Sequence, residues 1–275
     1  MNKELDRAFD QLLWADKDIT VGTFTALPEH SNFSDTGPIQ GHIIVFANQP
    51  VIINKYNKRL IANHNTVMLY NRGDVYTREA LTHQGDHAHW ISFTRRILND
   101  FNGLCGIDVD QSLPFQISQI GSNSKAFYVQ KRLFNRLKKN PDLASFILYD
   151  EIALIIEELG AIAGKQEKVS CSQRNKIFKA IEFLSKHFKE SIDIDRLAAE
   201  IYLSPFHLCR IFKKVTGFSI HQYIVSLRLK EGLNEVFDSS KPLSDIALDL
   251  NFASHSHFSS AFKKFYSTSP NHIRK

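Results

Sequence analysis

The chain has 275 residues, of which 43% are hydrophobic and 23% are charged, so its length suits two globular domains and its composition excludes wholesale disorder. Twelve glycines and eight prolines exclude a collagen-like chain, and no apolar run approaches the roughly 18 residues that span a bilayer. The first twenty residues carry acidic side chains where a signal peptide would be apolar, so we expect a cytoplasmic protein without a membrane partner. Three scattered cysteines predict reduced thiols.

The net charge of +5 is unevenly distributed along the chain. Residues 1–165 contain 17 basic and 18 acidic side chains, whereas residues 166–275 contain 17 and 11. A basic half beside a neutral half indicates a polyanion-binding domain joined to a different domain. A polar stretch near residues 161–174 separates them, and we expect domains at 1–163 and 174–275 with a linker at 164–173.

The first half is predicted to be β-rich and to end in two helices. Short β-branched and aromatic runs, bounded by Asn, Gly and Pro, predict strands at 41–47, 51–56, 59–63, 67–71, 75–81 and 89–93. Such closely spaced strands are typical of a sandwich or barrel. Helical patterns follow at 124–139 and 142–159, and the second is apolar enough to need a partner: the barrel, the preceding helix or a second subunit.

The second half is predicted to be a compact all-α domain that contains an internal repeat. Helical periodicity indicates helices at 174–189, 194–201, 204–216, 219–237, 243–250 and 254–265, with a last turn after Pro270. The segment 204–214 recurs at 254–264, an offset of 50 residues. Each copy begins with a serine suited to cap a helix and follows a short helix, which predicts two helix-turn-helix units.

The second helix of each unit presents candidate DNA contacts on its polar face. Helical spacing predicts two buried stripes: Leu208, Ile211, Phe212 and Val215, and Phe258, Ala261, Phe262 and Phe265. Arg210 lies on the opposite face of the first helix and is the outstanding candidate, because a guanidinium can bond guanine O6 and N7 together. Weaker base-reading candidates on the second helix are His255, Ser256, Ser259 and Ser260. The phosphate candidates are Lys213, Lys214, Lys263 and Lys264.

The helix predicted at 219–237 is long enough to space two DNA-reading units. At about 1.5 Å per residue it spans about 28 Å. Successive major-groove faces lie about 34 Å apart on one side of the duplex. One chain could therefore occupy adjacent grooves as a pseudo-dimer, with some bending of the DNA.

These residues carry a family resemblance. The last hundred residues resemble the DNA-binding domain of the AraC/XylS family of transcription regulators at Leu197-Ala198, Ser204-Pro205, Leu208, Arg210, Phe212-Lys213, Thr216-Gly217, Ser219, Tyr223, Arg228-Leu229, Ile246-Ala247, Phe252, Ser254, Phe258, Phe262-Lys263-Lys264, Ser269-Pro270 and Ile273-Arg274. The resemblance implies double-stranded DNA and RNA polymerase as partners. It also implies base-facing positions at Phe206, Cys209, Arg210, His255, Ser256, Ser259 and Ser260.

Two positions depart from the pattern of that family. Asn251 and Ser267 stand where the second unit usually has glycine. Asn tolerates a positive φ, so the first change is mild, whereas Ser267 is expected to cost a little stability. Because Ser260 stands where some members carry a basic residue, we expect the first unit to dominate specificity.

The first half is similar to the cupin-like effector and dimerisation domain of the same family, through the stretch from Tyr70 to Trp90. The resemblance implies a small β-barrel that holds an unidentified small-molecule effector, and a homodimer formed through the 124–159 helices. Tyr76 and Trp90 are either ligand contacts or barrel core. We expect a two-domain α+β regulator, most simply an activator, with no cofactor and no catalytic activity. A ligand-independent regulator or repressor is the alternative.

The sequence HQGDHAHW supports a rival interpretation. His87 and His89 alternate along a predicted strand, and with His83 they resemble the ligand run of metal-binding cupins. A metal-cupin enzyme is therefore the alternative from another class, although it leaves the repeat unexplained. The plainer interpretation is a polar loop that enters a strand.

Cys209 beside Arg210 could act as a redox switch, but a small residue that accommodates DNA is the simpler interpretation.

Overall fold

The computed structural model describes residues 9–30, 33–101, 107–141, 143–163 and 171–274. The chain divides into two compact units, 1–164 and 165–275. The predicted linker at 164–173 lies mostly outside the described residues. Cys105, one of the three thiols considered above, also lies outside them.

The first unit contains two antiparallel sheets. Its strands are β1 Phe9–Ala15, β2 Ile19–Ala26, β3 Asp35–Thr36, β4 His42–Ala47, β5 Val51–Lys55, β6 Lys58–Ala62, β7 Thr66–Tyr70, β8 Tyr76–Ala80, β9 Asp86–Phe93 and β10 Gln119–Gly121. One sheet has the order β1-β2-β9-β4-β7-β10 and the other the order β3-β8-β5-β6. All six predicted strands are confirmed within a few residues, but the described strands form two sheets instead of one closed barrel.

Residue alternation gives the larger sheet two different faces. On β7, Val67 and Leu69 belong to a core shared with helices, whereas Met68 and Tyr70 belong to a core shared with the smaller sheet. The same alternation places Ile44 and Phe46 of β4 in the first core. Because successive side chains of a strand point to opposite faces, one sheet can pack a helix layer on one side and a second sheet on the other.

Helices cover one face of the larger sheet. A short helix, α1 Arg95–Leu98, leads into a 3-10 turn at Asn99–Phe101, and two long helices follow, α2 Ser124–Lys139 and α3 Ser145–Ala163. The Asn123 side chain caps α2 by accepting from the Ala126 N–H at 2.7 Å. Both long helices were predicted, because the Asn140-Pro141 pair ends one helical pattern before the next begins.

The second unit is all-α, as the periodicity predicted. Its helices are α4 Cys171–His187, α5 Ile194–Glu200, α6 Pro205–Thr216, α7 Ile220–Asp238, α8 Leu243–Asp249, α9 His255–Tyr266 and α10 Pro270–Arg274. Each agrees with its predicted range within three residues. Across the described part of the chain, no helix combines the length and apolarity needed to cross a membrane.

Candidate nucleic-acid interface

The first helix pair is α5 and α6, joined by a tight turn. Tyr202 adopts a left-handed conformation with φ of 56°, which reverses the chain after α5. The N–H of Leu203 then donates to the Ala198 carbonyl oxygen at 3.0 Å. The Ser204 hydroxyl caps α6 by accepting from the His207 N–H at 3.3 Å, and Pro205 occupies the first helical position. The predicted capping serine is confirmed.

The second helix pair, α8 and α9, repeats this geometry. Asn251 takes the position of Tyr202 with φ of 55°, and the Phe252 N–H donates to Ala247 at 2.9 Å. Ser254 caps α9 by accepting from the His257 N–H at 3.1 Å. The sequence repeat is therefore a repeat of backbone conformation and capping.

The two second helices also end in the same way. Gly217 closes α6 with φ of 79°, and Ser267 closes α9 with φ of 60°. Each donates its N–H to the carbonyl oxygen four residues earlier, Lys213 and Lys263 respectively, at 2.9 and 2.8 Å. This left-handed cap suits glycine, so Ser267 adopts a conformation that a side chain disfavours.

Helix α6 exposes most of its candidate residues. Leu208, Ile211 and Phe212 are buried as predicted, and Val215 is only half-buried. Phe206 is 79% exposed, an unusual state for a phenyl ring on a helix that buries Leu208, Ile211 and Phe212. The candidates Cys209, Arg210, Lys213 and Lys214 are also exposed. The Arg210 guanidinium lies 3.4 Å from Nδ1 of His207, one helical turn away.

Helix α9 offers a more polar surface. His255, Ser256, Ser260, Lys263 and Lys264 are exposed, and Ser259 is half-buried. The Ser259 hydroxyl lies 3.2 Å from Nε2 of His255. Of the predicted buried stripe, Phe258 and Phe262 are buried and Ala261 is half-buried; the predicted burial of Phe265 is wrong, since its ring is half-buried and the neighbouring Tyr266 is buried in its place. The physical reason is that the Tyr266 hydroxyl reaches back to the Leu229 carbonyl oxygen at 3.3 Å, which turns that residue inward.

Helix α7 connects the two units and begins with a capping box between Ser219 and Gln222. Its 19 residues span about 28 Å, as expected from the sequence. Gly232 lies in the middle of this helix, where an added Cβ would approach Phe258 Cε2 to 2.8 Å. The glycine therefore lets α9 pack closely against the connecting helix.

Arg228 fixes this connecting helix to its surroundings. Its guanidinium donates to the carbonyl oxygens of Phe188 at 2.6 Å, Glu190 at 2.7 Å and Asn251 at 3.0 Å. It thus joins the segment after α4, helix α7 and the turn of the second helix pair. Sequence reasoning assigned no role to Arg228 or Gly232. The available signals were the place of Arg228 among the residues of the family resemblance and, for Gly232, a glycine within a helical pattern, which often marks close packing.

Comparison with known proteins identifies this arrangement. A family model described as a helix-turn-helix domain matches residues 197–275. The transcriptional regulator Rob of Salmonella typhimurium is 38% identical over 88 residues, which cover 32% of this chain and 30% of that protein. The C-terminal unit is an AraC-type helix-turn-helix domain.

Other relatives match the same AraC-type domain. The bifunctional transcriptional activator/DNA repair enzyme AdaA of Bacillus subtilis is 30% identical over 94 residues, covering 34% of this chain and 44% of that protein. A solved AraC-type transcriptional regulator from Chromobacterium violaceum covers 38% of this chain and 94% of its own, at 26% identity and a TM-score of 0.36. The matching segment spans only 30% to 44% of the length of these two curated relatives.

The unit that precedes the AraC-type domain contains a cavity of about 1100 Å³. Tyr76 and Trp90, the two candidate ligand residues, both line it. The Trp90 indole lies over Gly22 of the neighbouring strand and donates its Nε1–H to Asp10 at 3.1 Å. Both side chains are therefore cavity wall.

The three candidate metal ligands have different surroundings. His83 is exposed, and Nδ1 of His87 lies 3.3 Å from the Thr25 hydroxyl. His89 is buried, stacks on Phe134 of α2 with ring centroids 4.1 Å apart, and bonds to Gln130. Burial holds the pKa of His89 well below 6.5, with nearby Lys131 and Lys138 adding to the effect. Within the described ranges, no three His, Cys, Asp or Glu side chains are grouped so that they could hold a metal ion.

Proposed function

We propose that this chain is a sequence-specific DNA-binding transcription regulator. The observation that carries the proposal is the tandem of capped helix pairs, each with an exposed second helix, within an AraC-type domain. The names of Rob and AdaA, both transcription regulators, support the assignment.

In this proposal α6 and α9 enter successive major grooves, spaced by α7. Arg210 reads a guanine, and the exposed ring of Phe206, one turn earlier on the same face, contacts a thymine methyl group. Cys209 accommodates the edge of the groove. On α9, His255, Ser256, Ser259 and Ser260 supply weaker base contacts. The phosphate contacts come from Lys213, Lys214, Lys263 and Lys264.

The first unit supplies regulation in the same proposal. Its two-sheet core is the cupin-like part, and the cavity lined by Tyr76 and Trp90 holds a small-molecule effector. The 124–159 helices pair two chains in a homodimer. Effector binding changes how two chains occupy their sites, and activation through RNA polymerase follows. The name of AdaA, a transcriptional activator, favours activation over repression.

The proposed protein is cytoplasmic and performs no catalytic step. One relative, AdaA, is named as a DNA repair enzyme as well as a transcriptional activator, so an enzymatic function is the alternative that its name suggests. The histidine geometry gives no support to a metal-cupin enzyme, since the His89 ring is hydrogen-bonded to Gln130 and stacked on Phe134.

Selection of binding sites from random DNA tests this function. The full-length protein should enrich a motif of two blocks about one helical turn apart, and Arg210→Ala should weaken binding at one guanine. Arg59→Ala is the control, because it removes the same charge from an exposed ion pair with Glu79 in the other unit. Binding that enriches no motif and disappears with salt for all three proteins would refute sequence-specific recognition.

A further inference from the structure

The cavity of the first unit has an apolar body. Alternate residues of β4, β5 and β7 point into it, among them Val45, Val51, Ile53 and Met68. Its volume of about 1100 Å³ is slightly above the roughly 300–1000 Å³ that small-molecule sites occupy. An apolar molecule can therefore be buried here.

One charged pair is embedded in the wall of this cavity. Arg78 of β8 is buried and forms an ion pair with Asp86 of β9, with Nη1 and Oδ2 3.0 Å apart. Its Nη2 donates to the Thr36 hydroxyl at 2.9 Å, and its guanidinium lies over the Phe24 ring at 4.3 Å. Among the described residues, the buried Nε–H of Arg78 has no hydrogen-bond partner.

An unpaired buried donor is costly unless something accepts its hydrogen bond. Arg78 lines the cavity, so an oxygen atom of a bound molecule can supply the acceptor. A buried acceptor of this kind also fixes the orientation of an otherwise apolar ligand.

The charges around this donor disfavour an ionised ligand. The Arg78–Asp86 pair is neutral as a whole, and Asp10, which bonds to Trp90 at the cavity wall, adds a further acidic group. Burial raises the pKa of the Asp86 carboxyl group, which indicates that negative charge is poorly solvated beside Arg78. An anionic ligand would bring a second buried negative charge close to Asp86, and a cationic ligand would be repelled by the Arg78 guanidinium. Around the whole cavity, which His42 also lines, four cationic side chains face four carboxylates, so the lining carries no net formal charge: Lys17, Arg72, Arg78 and Arg95 against Asp10, Asp16, Asp18 and Asp86.

We propose that the cavity binds an uncharged, mainly apolar molecule whose carbonyl or hydroxyl oxygen accepts a hydrogen bond from Nε of Arg78. This inference rests on the effector role proposed above and names the chemical class of the effector. Arg78 is the anchoring residue, Asp86 keeps it neutralised, and the apolar strand residues enclose the rest of the ligand.

Three ten-carbon probes with different head groups test this class: 2-decanone, decanoate and decylammonium. Trp90 reports binding directly because it lines the cavity, and the chain has only two tryptophans. The other, Trp14, is replaced in a Trp14→Phe background of the full-length protein. We expect 2-decanone to change Trp90 emission saturably, with an affinity at least about ten-fold higher than either ion, since burying an ion in this cavity costs more free energy than burying a ketone.

The anchor is tested with the paired variant Arg78→Met/Asp86→Leu. Replacing both members of a buried ion pair by apolar residues preserves folding better than removing one. We expect this variant to keep its far-ultraviolet circular dichroism and to bind 2-decanone about ten-fold more weakly. Arg78→Lys is the second variant. It keeps the positive charge but lacks the planar Nε–H, so it should reduce the affinity for 2-decanone by a similar factor.

The proposal is overturned if decanoate or decylammonium binds as tightly as the ketone. It is also overturned if neither Arg78 variant changes ketone affinity, or if no probe alters Trp90 emission saturably. DNA binding measured on the same ligand-free samples separates this from the regulator function. Sequence-specific DNA binding without probe binding refutes only the ligand class, whereas ketone binding without sequence-specific DNA binding refutes only the regulator function.

Discussion

The two left-handed caps at Gly217 and Ser267 form a matched pair for measuring a backbone effect. Both residues close a second helix with the same hydrogen bond, and their φ values are 79° and 60°. A Cβ at Gly217 would meet no atom within 4 Å, so a side chain there costs only backbone strain. We therefore expect Gly217→Ser and Ser267→Gly to change the free energy of unfolding by similar amounts in opposite directions.

A residue with a Cβ loses about 1–2 kcal/mol in the left-handed region, and the greater freedom of unfolded glycine returns about 0.5–1 kcal/mol. The net prediction is that Ser267→Gly stabilises the AraC-type domain by about 1 kcal/mol and Gly217→Ser destabilises it by about 1 kcal/mol. For a unit of this size such a change shifts Tm by roughly 4 °C or more.

Urea unfolding of the full-length variants, followed by circular dichroism at 222 nm, measures both free energies. The double exchange should return close to the original stability, because the two caps share no contact. If Ser267→Gly failed to stabilise the domain while Gly217→Ser was neutral, the left-handed caps would carry no strain and the reasoning would be refuted.

Three further predictions concern packing and titration. Gly232→Ala should destabilise the domain by about 1–3 kcal/mol in urea unfolding, because its Cβ would press on Phe258; an unchanged midpoint would contradict this close packing. Arg228→Lys should cost about 2 kcal/mol or more, since a lysine cannot replace three guanidinium bonds to carbonyl oxygens, and a Lys variant as stable as the parent would remove its bridging role. Because folding lowers the pKa of buried His89, the unfolded state binds the proton first, and stability falls as pH drops below about 6.5, by up to about 1.4 kcal/mol per pH unit. Thermal melts from pH 7.5 to 5 should show this slope reduced in His89→Gln and kept in the exposed control His83→Gln; equal slopes would be evidence against it.

Local patterns were sufficient to predict the helix pairs. Capping serines at 204 and 254, apolar residues at helical spacing and the 50-residue offset are all properties of short segments. The structure confirms them because the tertiary contacts reinforce the local preferences. The assignment of individual DNA contacts stays a prediction, since exposure of Arg210 permits recognition of a base without defining which one.

Features that depend on distant pairing were not predicted. Strands β1, β2, β3 and β10 were missed: β3 and β10 have only two and three residues, and exposed Leu12 in β1 and Gly22 in β2 weaken the two longer patterns. A glycine is needed at position 22 because the Trp90 indole of the neighbouring strand occupies the space where a Cβ would lie. The pairing of Arg78 with Asp86 likewise depends on how the two sheets meet.

The surroundings of the histidine run, residues 83–89, could also not be predicted from local sequence. Alternation correctly suggested that His87 and His89 share a face of a strand. It did not reveal that α2 covers that face, so that His89 stacks on Phe134 and bonds to Gln130. Helix packing therefore gives these polar residues a structural environment that the strand pattern alone does not contain.

A double-mutant cycle between Arg210 and its guanine tests the central claim most directly. Affinities are measured for the original protein and Arg210→Ala on the selected site and on a site with that guanine replaced. If Arg210 reads the base, each single change costs about 1–3 kcal/mol and the double change costs little more than either. Additive losses, or an Arg210→Ala effect equal on all sequences, would show that Arg210 only contacts the phosphate backbone and would contradict the proposed recognition.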